Sequence, residues 1–341
     1  MVLARILVSL LWVTALLPTS ASAARRHHQG RVGTKVQRQA NRRHGSRYIR
    51  AHAAIIGGRP ARVGTFPWLA YVADFMEDGV LGVCTGTVVG PRLILTAAHC
   101  AENIETGVLN KASGYIVVTG KDDWAASPTE KQISTVSRVT VYPSYERTGL
   151  VEGWGDAALL ELSSPITAPP IPLASSAQQQ LWQPGTPGQI AGWGDTYPGQ
   201  ATFTEVAHWA PTVIQSSEWC HNQFGGFLPL GQLCTIDPPN YQTGGCQGDS
   251  GGPLLVASSR GTVEVGILVL ATETCSTTAA TVYTRAELVA PWVDRWIKAL
   301  AHRRPTVSPS ASARRGRRSA HTASTTGRLM NLVTTRHNHP E

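Results

Sequence analysis

Along most of the chain the apolar positions come in short runs. Arg92–Leu95, Tyr115–Thr119, Ile133–Val141 and Val263–Ala271 are rich in Val, Ile, Leu and Thr, and Gly, Pro and Asp separate them. Runs of this length with turn punctuation predict strands, and many in succession predict an all-β barrel or sandwich. One segment has a different period. Leu288, Trp292, Trp296, Ile297 and Leu300 recur at helical spacing, which predicts a helix over 287–301 with that stripe in the core. The stretch Pro165–Pro172 cannot be a central strand. It reads as a linker between two halves.

The ends depart from this pattern. In residues 1–23, Arg5 precedes the apolar stretch Ile6–Leu17 and Ala21-Ser22-Ala23 follows it, the layout of a secretory signal peptide. The stretch is too short to span a bilayer, and no later segment is long and apolar enough. A secreted, extracellular protein without a transmembrane segment is expected. Six cysteines suit that oxidising compartment, although spacing alone does not choose their pairing. With no CxxC or HExxH spacing, neither a metal nor a cofactor is expected.

Charge sharpens the domain picture. The chain carries a net +8, but residues 24–54 hold nine Arg/Lys and no acid, and residues 303–341 hold eight against one Glu. Residues 55–302 hold twelve Arg/Lys against twenty-one Asp/Glu. An acidic domain therefore sits between two basic flanks with little to bury. The flanks read as solvated tails, or as segments that dock electrostatically on the acidic domain or an anionic surface. The basic pI belongs to the flanks, and with no nucleic-acid motif in view nucleic acid is not an expected partner.

The chemistry concentrates in Gly244-Gly245-Cys246-Gln247-Gly248-Asp249-Ser250-Gly251-Gly252-Pro253. A serine attacks well only when a base takes its proton. Glycines beside it admit a substrate carbonyl, and their N–H groups can stabilise an oxyanion. Upstream, Thr96-Ala97-Ala98-His99-Cys100 offers the base and Gly155-Asp156-Ala157-Ala158-Leu159-Leu160 an acid entering an apolar run. Asp195 follows a similar Gly-Trp-Gly, but Asp156, placed between His99 and Ser250, is the one of the two that leads into Leu159-Leu160.

With Ile55-Ile56-Gly57-Gly58 ahead of them, these motifs resemble those of the chymotrypsin-like (trypsin-fold) serine proteases over about residues 55–302. The resemblance implies two antiparallel six-stranded Greek-key barrels, about 55–164 and 173–286, followed by the C-terminal helix. It implies a monomeric serine endopeptidase acting on proteins or peptides, with His99, Asp156 and Ser250 as its triad and the N–H groups of Gly248 and Ser250 as its oxyanion hole. It pairs Cys84–Cys100, Cys220–Cys234 and Cys246–Cys275. It also implies a zymogen with propeptide 24–54, in which a freed Ile55 ammonium pairs with Asp249.

The departures bear on specificity. Gly244 stands where trypsin has an aspartate, so Arg or Lys is not the expected preference. Ala271 and Thr281 replace two glycines of the pocket wall, which implies an elastase-like pocket for Ala, Val or Thr. Glu273 lies near the pocket mouth, and if it reaches substrate a basic residue could be accepted. Ala54, not Arg or Lys, precedes Ile55, so self-activation is as coherent as an activating protease. Val269 replaces a serine that usually bonds the triad aspartate, and Leu270 a pocket tryptophan. The alternative from another class is a catalytically silent protease-fold binding protein acting at anionic surfaces.

Overall fold

The computed structural model of the chain describes residues 55–62, 64–75, 81–103, 106–124, 132–146, 154–195, 204–272 and 274–302. Residues 1–23, 24–54 and 303–341, together with Glu273, lie outside them, so the signal, propeptide and tail assignments fall there too.

Seven strands come first: β1 (Arg59–Pro60), β2 (Leu69–Phe75), β3 (Leu81–Gly90), β4 (Leu93–Thr96), β5 (Tyr115–Thr119), β6 (Ile133–Val141) and β7 (Ala158–Leu162). After the linker come β8 (Pro187–Gly192), β9 (His208–Ile214), helix α1 (Ser217–Gln223), β10 (Gln232–Ile236), β11 (Pro253–Ser258), β12 (Gly261–Leu270), β13 (Thr281–Arg285) and helix α2 (Ala286–His302). Strands β2 to β7 close one antiparallel barrel in the order β2-β3-β4-β7-β6-β5. Strands β8 to β13 close a second in the order β8-β9-β10-β13-β12-β11, through the β8–β9 and β8–β11 pairings. Each ring has the same internal order: first, second, third, sixth, fifth, fourth. Closure leaves neither ring an unpaired edge.

The interiors follow from inward-facing apolar positions. Val72, Val88, Ile94, Val117 and Leu160 pack in the first barrel. Ile190, Ile214, Leu233, Leu254, Val265 and Tyr283 pack in the second.

The two ends of this region cross over. β1 pairs with β9, so the first residues lie on the second barrel. α2 buries Val289, Trp292 and Val293 against Val89, Leu93 and Leu159 of the first barrel and Ile267 of β12. Tyr142 donates its hydroxyl to the Leu288 carbonyl at 3.2 Å and meets Trp292 edge-on. The buried face of α2 differs from the expected stripe, because Val289 and Val293 continue the 3–4 spacing through Trp292 while Leu288 sits at its margin.

The linker is stitched to both rings. Ile171 donates to the Val88 carbonyl and Ala174 to that of Glu264. Beside it, Thr87 of β3 donates to Glu264 Oε2 of β12 at 2.8 Å, across the seam between barrels. Glu264 is fully buried and its Oε1 has no hydrogen-bond partner. Burial pushes this carboxyl up to about 8, against the opposing bond from Thr87. Among the described residues no helix is long and apolar enough to cross a membrane.

Candidate active site

The first barrel supplies an acid–base pair. β4 ends at Thr96, and the chain turns through Ala97-Ala98-His99-Cys100, with Ala101 N–H bonding back to the Ala98 carbonyl. Asp156 stands just before β7, which pairs with β4, so strand register brings the two segments together. His99 Nδ1 lies 2.7 Å from Asp156 Oδ2. The other oxygen, Oδ1, accepts the N–H of Ala98 and, at 3.1 Å, that of His99. The carboxylate is fully buried, yet the turn it orients satisfies it. From the second barrel, Thr284 donates its hydroxyl to the Asp156 carbonyl at 3.0 Å. Val269 is buried and apolar, so it adds no hydroxyl to this set. With Nδ1 donating to the carboxylate, Nε2 is the ring atom left as a base.

The second barrel supplies the serine loop between β10 and β11. Gly248 and Gly251 hold φ of +94° and +81°, in the left-handed region that glycine enters freely. At Gly251 the requirement is also spatial, since a Cβ would fall 2.1 Å from Thr96 Oγ1 and 2.3 Å from the Thr85 carbonyl. The serine loop and the histidine-bearing strand touch there. Ser250 is partly exposed, and its carbonyl accepts the Thr85 N–H at 2.9 Å. Disulfides join Cys84 to Cys100, Cys220 to Cys234 and Cys246 to Cys275. The first ties β3 to the histidine turn, and the third ties the serine loop to the segment after β12.

Asp249 points inward. It is 1% exposed, and its oxygens accept the N–H groups of Gly194 at 2.8 Å and Cys246 at 3.0 Å. Burial pushes its carboxyl up to about 7; the two N–H donors oppose this and nearby Asp195 adds to it. Ile55 is fully buried in the second barrel's core. Ile56 exchanges two backbone bonds with Gly244, at 2.9 and 3.2 Å. Ile55 itself has φ of +60°, a strained value for a β-branched residue.

Thr281 lies against Gly245, the residue after Gly244. Thr281 is 4% exposed, and its hydroxyl accepts the N–H of Gly245 at 3.3 Å. Ala271 follows Leu270, which pairs with Val282, so Ala271 and Thr281 flank one strand pair. A Cβ on Gly244 would meet Thr277 at 3.7 Å, ordinary contact, so the position has room for a side chain but brings no charge.

The profile of the trypsin family matches residues 55–293. The chain belongs to the trypsin family. It is 32% identical over 205 residues to a trypsin of Saccharopolyspora erythraea, covering 59% of this chain and 82% of the relative. It is 33% identical over 226 residues to a trypsin-like protease of Streptomyces glaucescens (64% and 74%), and 29% over 255 residues to cathepsin G of Mus musculus (73% and 87%). This trypsin-family protein is a serine endopeptidase, with the two-barrel architecture of its fold.

Two residues at this site escape sequence reasoning. Thr284 is one more threonine in the β-rich run Thr281–Arg285, and Thr85 has no signal beyond its place after Cys84. In this trypsin-family chain, Cys84, His99 and Cys100 cluster as metal ligands do, but both sulfurs are committed to a disulfide.

Proposed function

We propose that the chain is a secreted protease made as a zymogen, which cleaves after small aliphatic residues through an acyl-enzyme on Ser250. His99 takes the serine proton as base and returns it to the leaving amine as acid. Asp156 orients the imidazole and stabilises its charged form, and the N–H groups of Gly248 and Ser250 hold the oxyanion. The observation that carries this reading is the His99–Asp156 pair, locked by backbone donors beside a serine loop bonded to the same barrel.

Asp249 supports the zymogen part. A buried carboxyl with N–H donors and a pKa near 7 would gain from a cation. Ile55-Ile56 already lies on Gly244 in the same loop. Cutting before Ile55 would supply the ammonium and remove the φ constraint at that residue. The uncharged Gly244, with Thr281 narrowing the pocket, supports small side chains before the scissile bond. Ala54 fits such a pocket, so the enzyme activates itself in this reading. The basic flanks contact the acidic domain or an anionic surface.

Three measurements test this. Peptides varying only the residue before the cut should be cleaved best at Ala, Val or Thr, and best cleavage at Arg would reject the pocket assignment. N-terminal sequencing of active enzyme should return Ile55, and an active species beginning at Ala24 would reject the zymogen. A Ser250→Ala chain expressed alone should stay uncut before Ile55, and cutting there would reject self-activation.

A further inference from the structure

Thr85 makes polar contacts with two residues of the serine loop, and with two further segments, while belonging to the other barrel. It is fully buried in β3, next to Cys84. Its N–H donates to the Ser250 carbonyl at 2.9 Å. Its hydroxyl donates to the Gly248 carbonyl at 3.0 Å and accepts the Trp193 N–H at 3.3 Å. Its own carbonyl accepts the Thr96 hydroxyl at 2.9 Å, and Thr96 begins the turn that carries His99. One residue thus joins the histidine turn, the serine, the oxyanion glycine and the Trp193 segment, whose next residue, Gly194, donates to Asp249.

The surroundings are built around these contacts. A Cβ on Gly192 would fall 2.8 Å from Thr85 Oγ1, and one on Gly252 3.1 Å from Thr85 Cγ2. With Gly251, three glycines of two backbone segments approach the threonine closely where a larger residue would have to shift its neighbours.

We propose that the Thr85 hydroxyl is a positioning group for the oxyanion hole. Gly248 has no side chain to restrict its φ and ψ, so its N–H direction depends on what holds the peptide groups on either side. Asp195 N–H fixes the preceding carbonyl, that of Gln247, at 2.7 Å. Thr85 fixes the following one, that of Gly248 itself. Held at both ends, the Gly248 N–H keeps one direction before substrate arrives. An oxyanion donor gains its effect from that preorganisation, which operates in the transition state more than in the ground state. The inference rests on the proposed roles of Ser250 and Gly248.

The test uses active enzyme matured from full-length chain, with Thr85→Val (same shape, no donor), Thr85→Ala and Thr85→Ser. The Val and Ala variants should lose about 10- to 100-fold in kcat with KM changed less than about threefold. Affinity for a peptide aldehyde that forms a tetrahedral adduct should fall in step with kcat/KM. The Ser variant, which keeps the donor, should recover to within about threefold of the parent. An unchanged kcat in Val and Ala overturns the proposal. A loss shared by the Ser variant, or failure of Val and Ala to fold, assigns Thr85 to packing and also overturns it. A parent enzyme that forms no acyl-enzyme would instead reject the roles on which the inference rests.

Discussion

The two barrels have the same strand order but differ in how complete their contributions are. In the first, the buried Asp156 carboxylate accepts three N–H bonds, all from the turn it orients. In the second, the buried Asp249 carboxyl has N–H donors and a raised pKa, and in the proposed reading it awaits a cation. Closed rings of identical topology can thus hold a finished site and a conditional one. Each carboxylate accepts two backbone N–H bonds, so the difference lies in the ring N–H that His99 adds at Asp156.

The hardest break removes one member from each side. His99→Ala and Ser250→Ala should each lower kcat/KM on a small-residue peptide by about 10⁴- to 10⁶-fold, and the double variant should lose little more. Additive losses would mean that the barrels do not act as one unit. Next comes Asp249→Asn, which should cost about 100-fold or more by leaving the oxyanion loop unordered. The His99–Asp156 bond should survive, read as a persistent far-downfield Nδ1 proton resonance, and its loss would show that the first barrel is not self-sufficient.

The seam between the barrels gives a pH test. Glu264 has a folded pKa near 8, well above its ordinary value. The unfolded chain therefore binds fewer protons between those values, so stability falls as pH rises through that window and the loss is complete above about pH 8. The contribution is on the order of a few kcal/mol. Glu264→Gln should flatten the slope in chemical denaturation from pH 5 to 9, and an unchanged slope would locate the dependence elsewhere. The smallest effect concerns the pocket. Thr281→Gly should shift preference toward Leu or Phe by about tenfold in kcat/KM, leaving hydrolysis itself intact.

Much of this was legible in the chain. Tyr115–Thr119 and Ile133–Val141 have the strand bounds expected, because runs rich in β-branched residues end at polar or turn-forming neighbours. Arg92–Leu95 and Val263–Ala271 slide by one or two residues, where the pairing partner and not the local sequence decides the end. Glu264 was not legible. In Thr-Val-Glu-Val the alternation assigns it to the outside of its barrel, and here that outside is the other barrel. Helix α1 is marked in the sequence by Ser216, whose hydroxyl caps it by accepting the Trp219 N–H. Thr85 could not be read because its role comes from a contact 163 residues away.

The crossed ends have a mechanical consequence. All three disulfides stay within one barrel or the other, so only the Pro-rich linker joins the halves through bonds of the chain. Each half also lends the other a strap, β1 in one direction and α2 in the reverse. A single nick in the linker would leave two fragments clasped by exchanged ends, like interlocked hands. Cutting the tether thus leaves both halves held, whereas removing either extremity loosens the clasp.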